Sequence, residues 1–287
     1  MTCPVSRRAP PPRSRPSVPR STSRRAGRTS RSGGAASGRC SRGSRRRWAM
    51  ELELTHVEGL DAPVCAGGIP RGSVVLLAGA PGTMKSSLGF AALFNNALRG
   101  RKGLYISLEQ GRESLVHHMK GLGMDPEGTR GNLSILDLGA LRARIQEARG
   151  PAWLDLFKMY TQTLRTTFPY EFLVLDSLNA LEILAKFERP RREVFELFKW
   201  LRGLGVTCFV ISELPPESEA NGGDYRTSPD HREDYLADGI IHLKLAKRGD
   251  FGTQRQVRVV KLRGRRHSTD YHALVFDHGF RVTRILG

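Results

Sequence analysis

The sequence predicts an α/β fold: a mostly parallel sheet with helices on both faces and an antiparallel extension toward the C-terminus. Between residues 73 and 212, five short apolar runs alternate with helical stretches. Continuously apolar strands separated by helices are typical of a parallel sheet covered on both sides. After residue 239, shorter runs alternate in polarity and are joined by brief turns, which favours antiparallel strands. Because no solenoid period is present, we expect one domain over residues 50–287.

The elements follow in order along the chain. The apolar runs predict parallel strands at 73–78, 103–108, 133–137, 172–176 and 206–212. Helical periodicity between them predicts helices at 85–98, 113–122, 138–148, 151–167 and 192–204. The C-terminal extension predicts strands at 240–246, 256–262 and 271–276.

Residues 1–49 differ from the rest in composition. The first 50 residues hold 14 of the 46 Lys and Arg residues and none of the 28 acids, and the tail is rich in Arg, Ser, Pro and Gly. Such a segment buries too little apolar surface to offset its ordering entropy, so we expect disorder. A signal peptide is excluded because no apolar segment follows the early arginines. We favour a non-functional tail with Met50 as the native start over a transit peptide or a nucleic-acid-binding arm.

Composition also excludes several classes of protein. Residues 51–287 carry 32 basic against 28 acidic residues, a net charge of +4, so the sequence pI of about 10.6 reflects mainly the tail. No apolar run approaches the roughly 18–20 residues of a membrane span. The four cysteines are widely spaced and form no CxxC pair, which opposes a zinc module or a disulfide framework and fits a cytoplasmic protein.

The most informative segment is the phosphate loop, residues 79–86, which lies between a predicted strand and a predicted helix. It matches the template GxxxxGK[ST] except that Met84 replaces the second glycine. In that template backbone N–H groups and the lysine hold the phosphates of ATP, and the hydroxyl binds Mg²⁺. A glycine-rich turn with a chance Lys-Ser pair is the alternative. We assign nucleotide binding to Gly79, Ala80, Pro81, Gly82, Thr83, Met84, Lys85, Ser86 and Ser87.

Met84 is the residue at which the loop departs from the template. Its backbone N–H can point into the loop if its φ stays negative, and we expect that conformation. Nucleotide binding is then retained with altered affinity.

Two acids follow predicted strands. Asp176 ends an apolar strand, which is the Walker-B pattern for a residue of the Mg²⁺ shell, although helix caps also use Asp there. Glu109 follows the second strand, and the carboxyl ends of parallel strands meet at one sheet edge. Glu109 is therefore a candidate to orient or deprotonate the water that attacks ATP. Taken alone, an acid that flanks a helix N-terminus is the preferred interpretation of this residue.

Taken together, seven segments in order resemble the KaiC-like branch of the RecA/RadA ATPase superfamily. They are Thr55–Asp61, Gly67 through the phosphate loop, Ser107–Gln110, Leu175–Leu178, Tyr235–Ile241, Val260–His267 and Asp277–Gly279. The resemblance implies a RecA-like core that binds and hydrolyses ATP with Mg²⁺ in a homo-oligomeric ring, often a hexamer, with ATP at the subunit interfaces.

The resemblance also assigns roles to individual residues. Glu109 is similar to the first of the family's paired catalytic glutamates, and Gln110 replaces the second. Lys261 and Arg263 match the family's Lys-x-Arg-Gly, which reaches the γ-phosphate of the neighbouring subunit; solvated strand charges are the alternative. The chain carries one such domain, whereas the circadian clock proteins carry two, so a clock role is not implied.

Three functions compete. The first is an oligomeric regulatory or signalling ATPase that acts on a protein partner, which we favour. The second is a DNA recombination or repair ATPase, but residues 214–235 hold six acids against two arginines, which repels nucleic-acid phosphates. The third is an ATP-binding switch with negligible turnover, which Met84 and Gln110 favour.

Overall fold

The computed structural model describes residues 51–139, 153–214, 233–248 and 252–285. Its strands are β1 (Leu52–Glu53), β2 (Ile69–Pro70), β3 (Val74–Gly79), β4 (Gly103–Ser107), β5 (Leu133–Asp137), β6 (Phe172–Asp176), β7 (Thr207–Glu213), β8 (Gly239–Arg248), β9 (Gly252–Leu262), β10 (His272–Phe276) and β11 (Phe280–Arg284). Its helices are α1 (Lys85–Ala97), α2 (Arg112–Gly121), α3 (Trp153–Thr167), α4 (Leu178–Ala185), α5 (Pro190–Gly203) and α6 (Glu233–Leu236).

Nine strands form one sheet in the order β11-β10-β9-β8-β3-β7-β6-β4-β5. The pairs from β8 through β5 are parallel, and β8–β9, β9–β10 and β10–β11 are antiparallel. The predicted fold class, a parallel core with an antiparallel extension, is therefore confirmed. The extension begins one strand later than the sequence suggests, because β8 still pairs in parallel with β3.

Alternate residues of each central strand face two separate apolar cores. Val75 and Leu77 of β3 lie in the core beneath α1 and α2, whereas Val74 and Leu76 lie in the core beneath α3, α4 and α5. α1 packs closely because Gly89 faces the sheet, where an added Cβ would lie 3.3 Å from a methyl of Leu77. Helices thus cover both faces, which is why the strands read as continuously apolar.

Several elements differ from the prediction. α4 was missed because it has only eight residues, too few for a clear periodicity; the Ser177 side chain caps it by accepting from the N–H of Ala180. The short β1–β2 ladder and β11 were also missed, and β8 and β9 are longer than expected. The helix predicted over 138–148 lies mostly outside the described residues. The tail predicted over 1–49 lies wholly outside them, so the domain boundary at residue 50 remains a prediction.

The β8–β9 hairpin extends beyond the carboxyl end of β3. Leu243 of β8 is level with Gly79, and the following residues of β8 continue pairing with β9 as far as Arg248 and Gly252. The hairpin therefore projects past the edge of the parallel sheet at which the phosphate loop begins.

Candidate nucleotide-binding site

The phosphate loop connects β3 directly to α1. Gly79 is required at its start because an added Cβ would lie 2.2 Å from the carbonyl oxygen of Leu243 on β8. The loop then turns through Gly82, at φ +81°, before α1 begins at Lys85. The first turn of α1 contains no acidic residue, so its positive N-terminal end is not neutralised from within the helix.

Met84 adopts the left-handed conformation, with φ 69° and ψ 33°. The expectation of a negative φ is therefore wrong. The loop has to reverse direction immediately before α1, and that geometry places the backbone of this residue where the template has glycine. A non-glycine residue there costs roughly 1–2 kcal/mol. Its side chain packs against the apolar core beneath α1, which offsets part of this cost.

Lys85 is buried beside three carboxylates. Its Nζ donates to the carbonyl oxygen of Ala80 at 3.0 Å and lies 3.7 Å from Oε1 of Glu213. Burial lowers the pKa of Lys85, and the carboxylates of Glu213, Asp176 and Glu109 oppose this shift. The side chain thus lies against its own loop and close to the acids at the sheet edge.

Asp176 lies at the carboxyl end of β6, where its side chain is almost fully buried. Its Oδ2 accepts a hydrogen bond of 2.5 Å from Tyr105, and the Ser86 side chain lies close enough to influence the carboxylate. Burial raises the pKa of Asp176, and the hydroxyl groups of Tyr105 and Ser86 act in the opposite direction. The structure thus brings the loop hydroxyl and the strand acid together.

Glu109 follows β4, which is the neighbour of β6 in the sheet. Its Oε1 accepts a hydrogen bond from the hydroxyl of Ser177, the residue after Asp176. Ser107 of β4 is in register with Asp176, so both acids lie at one edge, as the sequence predicts. The carboxylate of Glu109 is exposed, which leaves it accessible to a solvent water.

Gln110 points to a different part of the molecule. Its Nε2 donates to Ser114 Oγ at 2.8 Å and lies 2.6 Å from Nδ1 of His118, both on α2. Gln110 thus contributes no charge to the site, and its amide is engaged with the helix instead.

Lys261 and Arg263 lie far along the sheet from their own phosphate loop. Lys261 is level with Ile240, which pairs with Leu76 in the first half of β3, whereas the phosphate loop follows the end of β3. Lys261 Nζ donates to the carbonyl oxygen of Asp234 at 2.7 Å. Burial and the neighbouring Arg263 lower the pKa of Lys261. The structure does not bring these two cations to the loop of the same chain.

Arg263 is held by one acid and one carbonyl. Its guanidinium donates to Asp238 Oδ1 at 2.9 Å and to the carbonyl oxygen of Tyr235 at 2.7 Å. Half of its side-chain surface is exposed. A groove of about 720 Å³ opens along the following segment, and its lining includes Arg266 and His267.

Three residues at the site were missed by the sequence analysis. Glu213 ends β7 and could have been found by the argument that identified Glu109 and Asp176, since it too is an acid at the end of an apolar strand. Tyr105 lies inside β4 and carries no sequence signal of its contact. Arg255 of β9 donates from Nε to the carbonyl oxygen of Gly82 at 3.1 Å, a contact that depends on the length of the β8–β9 hairpin.

Ser86 and Asp176 fit a magnesium ion by their chemistry. A hydroxyl and a carboxylate are hard oxygen donors, and Mg²⁺ is bound through one or two carboxylates together with waters and phosphates. Within the described residues no group of three His, Cys, Asp or Glu side chains is arranged to hold a metal alone. The donor set therefore suits a cation that arrives with a phosphate ligand.

Comparison with known proteins identifies relatives across most of the chain. A family model described as "ATPase: KaiC" matches residues 54–284. A UPF0273 protein of Pyrobaculum aerophilum is 30% identical over 234 residues, which cover 78% of this chain and 79% of that protein. A UPF0273 protein of Thermotoga maritima is 28% identical over 243 residues, covering 79% of this chain and 94% of that protein.

Two further comparisons concern a longer relative and a solved structure. Circadian clock protein KaiC2 of Synechocystis is 26% identical over 236 residues, but the match covers only 40% of that protein. The crystal structure of a KaiC-like protein from Pyrococcus horikoshii superposes with a TM-score of 0.68 at 25% identity, covering 81% of this chain and 99% of that chain.

No helix within the described ranges is long and apolar enough to span a membrane. The match over residues 54–284 includes the phosphate loop, both strand-end acids and the C-terminal extension. Together with the nine-stranded sheet and the similar crystal structure from Pyrococcus horikoshii, this match shows that the chain belongs to the KaiC-like ATPase family, whose core is a RecA-like P-loop fold.

Proposed function

We propose that the protein binds ATP with Mg²⁺ and hydrolyses it. The observation that carries this proposal is the convergence of Lys85, Ser86, Asp176 and Glu109 at one edge of the sheet. Loop N–H groups and Lys85 would hold the phosphates, and Ser86 and Asp176 would hold the metal ion, which neutralises charge that develops on the phosphates. The other residues of the loop, from Gly79 to Ser87, shape the cradle.

Glu109 would orient the attacking water and accept its proton. Its exposed carboxylate can meet solvent, while the hydrogen bond from Ser177 limits its rotation. Gln110 cannot serve as a second base because an amide is not basic, and it is engaged with Ser114 and His118. Catalysis would therefore depend on one carboxylate.

The complete site would be formed between two copies of the chain. Lys261 and Arg263 lie away from their own loop, and half of the Arg263 side chain is exposed. In a homo-oligomeric ring they would approach the γ-phosphate bound to the neighbouring subunit and stabilise charge in the transition state. Assembly would then be a condition for turnover.

The oligomer would act as a regulatory or signalling ATPase on a protein partner in the cytoplasm. The net charge of only +4 over residues 51–287 gives little attraction to nucleic acid, so DNA recombination or repair is the weaker candidate. Since this chain matches only 40% of circadian clock protein KaiC2, that protein's named role is not transferred.

An ATP-binding switch with very slow turnover is the second candidate. Two observations favour it: the strained backbone of Met84 within the phosphate loop, and the turning of Gln110 toward α2. The two candidates agree on binding and differ only in the rate of hydrolysis.

One set of measurements tests these functions. Calorimetric titration with ATP should show Mg²⁺-dependent binding that Lys85→Ala abolishes, while Lys199→Ala, on the exposed face of α5, should bind normally. Unchanged affinity in Lys85→Ala would rule out the phosphate-loop assignment.

Phosphate release then separates the candidates. Turnover that rises with assembly and ignores single-stranded DNA supports the oligomeric ATPase, and stimulation by DNA supports the repair enzyme. Tight binding with no release above the Lys85→Ala background supports the switch. Light-scattering mass with and without ATP reports the assembly directly.

A further inference from the structure

Tyr105 and Asp176 are joined by a buried hydrogen bond, and the tyrosine ring is held in place by its neighbours. Tyr105 is fully buried in β4, and its Oη donates to Asp176 Oδ2 at 2.5 Å. The Tyr105 ring packs on Phe90 of α1, with 5.4 Å between ring centroids. Because the sheet and α1 both hold the ring, the phenol cannot turn away without disturbing the core.

This contact restricts what Asp176 can offer to a cation. An ionised carboxylate has about four lone-pair sites on its two oxygens, and the Tyr105 hydroxyl takes one of those on Oδ2. Because the phenol ring is packed in the interior, this hydrogen bond restrains the rotation of the carboxylate. Coordination through a single oxygen is compatible with that restraint, whereas bidentate coordination requires both oxygens to turn toward the ion, which the restraint opposes.

Magnesium and calcium differ in the coordination they require. Mg²⁺ keeps several waters in an octahedral shell and binds a carboxylate through one oxygen. Ca²⁺ takes about six to eight oxygen ligands and often binds a carboxylate through both of its oxygens. A carboxylate whose rotation is restrained therefore suits Mg²⁺, which needs one of its oxygens, better than Ca²⁺, which often needs both.

We propose that Tyr105 is a specificity-determining positioning residue, which holds Asp176 so that nucleotide binding is supported by Mg²⁺ and poorly supported by Ca²⁺. The proposal rests on the proposed Mg²⁺–ATP site. Tyr105 does not touch the nucleotide; it acts through the orientation of the acid. A role limited to core packing would change stability without changing the preference between the two cations.

The test compares Tyr105→Phe with Tyr170→Phe. Phe keeps the ring and removes only the hydroxyl. Tyr170 is a matched control, since it is also buried and its hydroxyl donates to the carbonyl oxygen of Thr161 at 3.2 Å, outside the site. The affinity for a non-hydrolysable ATP analogue is measured by titration with Mg²⁺, with Ca²⁺ and with EDTA, and folding is followed by circular dichroism.

In the wild type and in Tyr170→Phe, Mg²⁺ should support binding clearly better than Ca²⁺. In Tyr105→Phe the ratio of the two dissociation constants should fall by about tenfold, the scale of effects seen when a partner of a metal ligand is removed. The affinity in EDTA should stay at the wild-type value, because the phosphate loop is unchanged.

Two results would overturn the proposal. One is a folded Tyr105→Phe protein with the wild-type ratio. The other needs no variant: a wild-type protein whose nucleotide affinity is raised equally by Ca²⁺ and Mg²⁺. A wild-type protein that binds no nucleotide, or binds it equally well in EDTA, would instead remove the proposed Mg²⁺–ATP function.

Discussion

The Nε of Arg255 donates to the carbonyl oxygen of Gly82 at 3.1 Å, although 173 residues separate them in the chain. The contact exists because the β8–β9 hairpin continues past the end of β3 and lies over the phosphate loop. β9 thus brings the cation of Arg255 to the candidate site of its own chain. The opposite end of β9 carries Lys261, and Arg263 follows that end.

Arg255→Ala should weaken nucleotide binding. Removing the guanidinium takes away one hydrogen bond to the loop and a positive charge near the phosphates, which we expect to cost about 1 kcal/mol of binding free energy. Titration with ATP measures the change, with Arg281→Ala on the exposed face of β11 as the control. Equal affinities in the two variants would show that the hairpin does not support the loop.

Substitutions at Met84 should reverse the usual order of alanine and glycine. In a left-handed conformation glycine is unstrained, so Met84→Gly should be more stable than Met84→Ala by about 1 kcal/mol in urea denaturation. At Lys199, an exposed position within α5, the order should be the opposite: Lys199→Ala should be more stable than Lys199→Gly by about 1 kcal/mol. Finding alanine the more stable residue at both positions would contradict the strained loop.

Mixing two inactive variants tests the shared site. Glu109→Gln should bind ATP but lose about a hundredfold or more in hydrolysis, since the amide keeps the shape and loses the basicity. Arg263→Ala should also bind ATP and hydrolyse it poorly. In reassembled mixtures some interfaces join an intact Glu109 to an intact Arg263, so phosphate release should partly return.

Subunit exchange is the control for that experiment. Mixtures that are never allowed to dissociate should stay inactive, and wild-type protein taken through the same cycle should recover. If reassembled mixtures remain inactive although the wild type recovers, Arg263 does not act across the interface and is a solvated strand charge.

Asp238 should make stability depend on pH. Burial raises the pKa of its carboxyl, but hydrogen bonds from Arg202 and from the N–H of Val74 outweigh it, and Arg263 adds to them, so the pKa is held below its usual value. For a lowered carboxyl pKa, the stabilisation is complete above the unfolded value of about 4 and is lost as the pH falls through the folded value.

Asp238→Asn should therefore be less stable than the wild type near neutral pH, and the difference should shrink at about pH 3. Denaturant midpoints at the two pH values measure it. If the stability difference between the wild type and Asp238→Asn is the same at both pH values, the ionised carboxylate is not the stabilising group.

The position of the two acids at strand ends could be predicted from the sequence because the evidence for it is local. An apolar run followed by Glu109 or Asp176 is visible within ten residues, and the rule that parallel strands end at one edge places both acids together. Glu213 obeys the same rule and could have been recognised. α4 could not, because a short helix shows little more than two turns of periodicity.

The α/β class, the positions of most strands along the chain, the strand–loop–helix arrangement around residues 79–86 and the two strand-end acids could be predicted from the sequence, since each follows from a continuous stretch of chain. The left-handed conformation of Met84, which loop closure imposes, and the contacts of Tyr105 and Arg255 could not. The same holds for the position of Lys261 and Arg263 away from their own loop. These features depend on register between strands distant in sequence, and a shift of one residue would move every side chain to the opposite face.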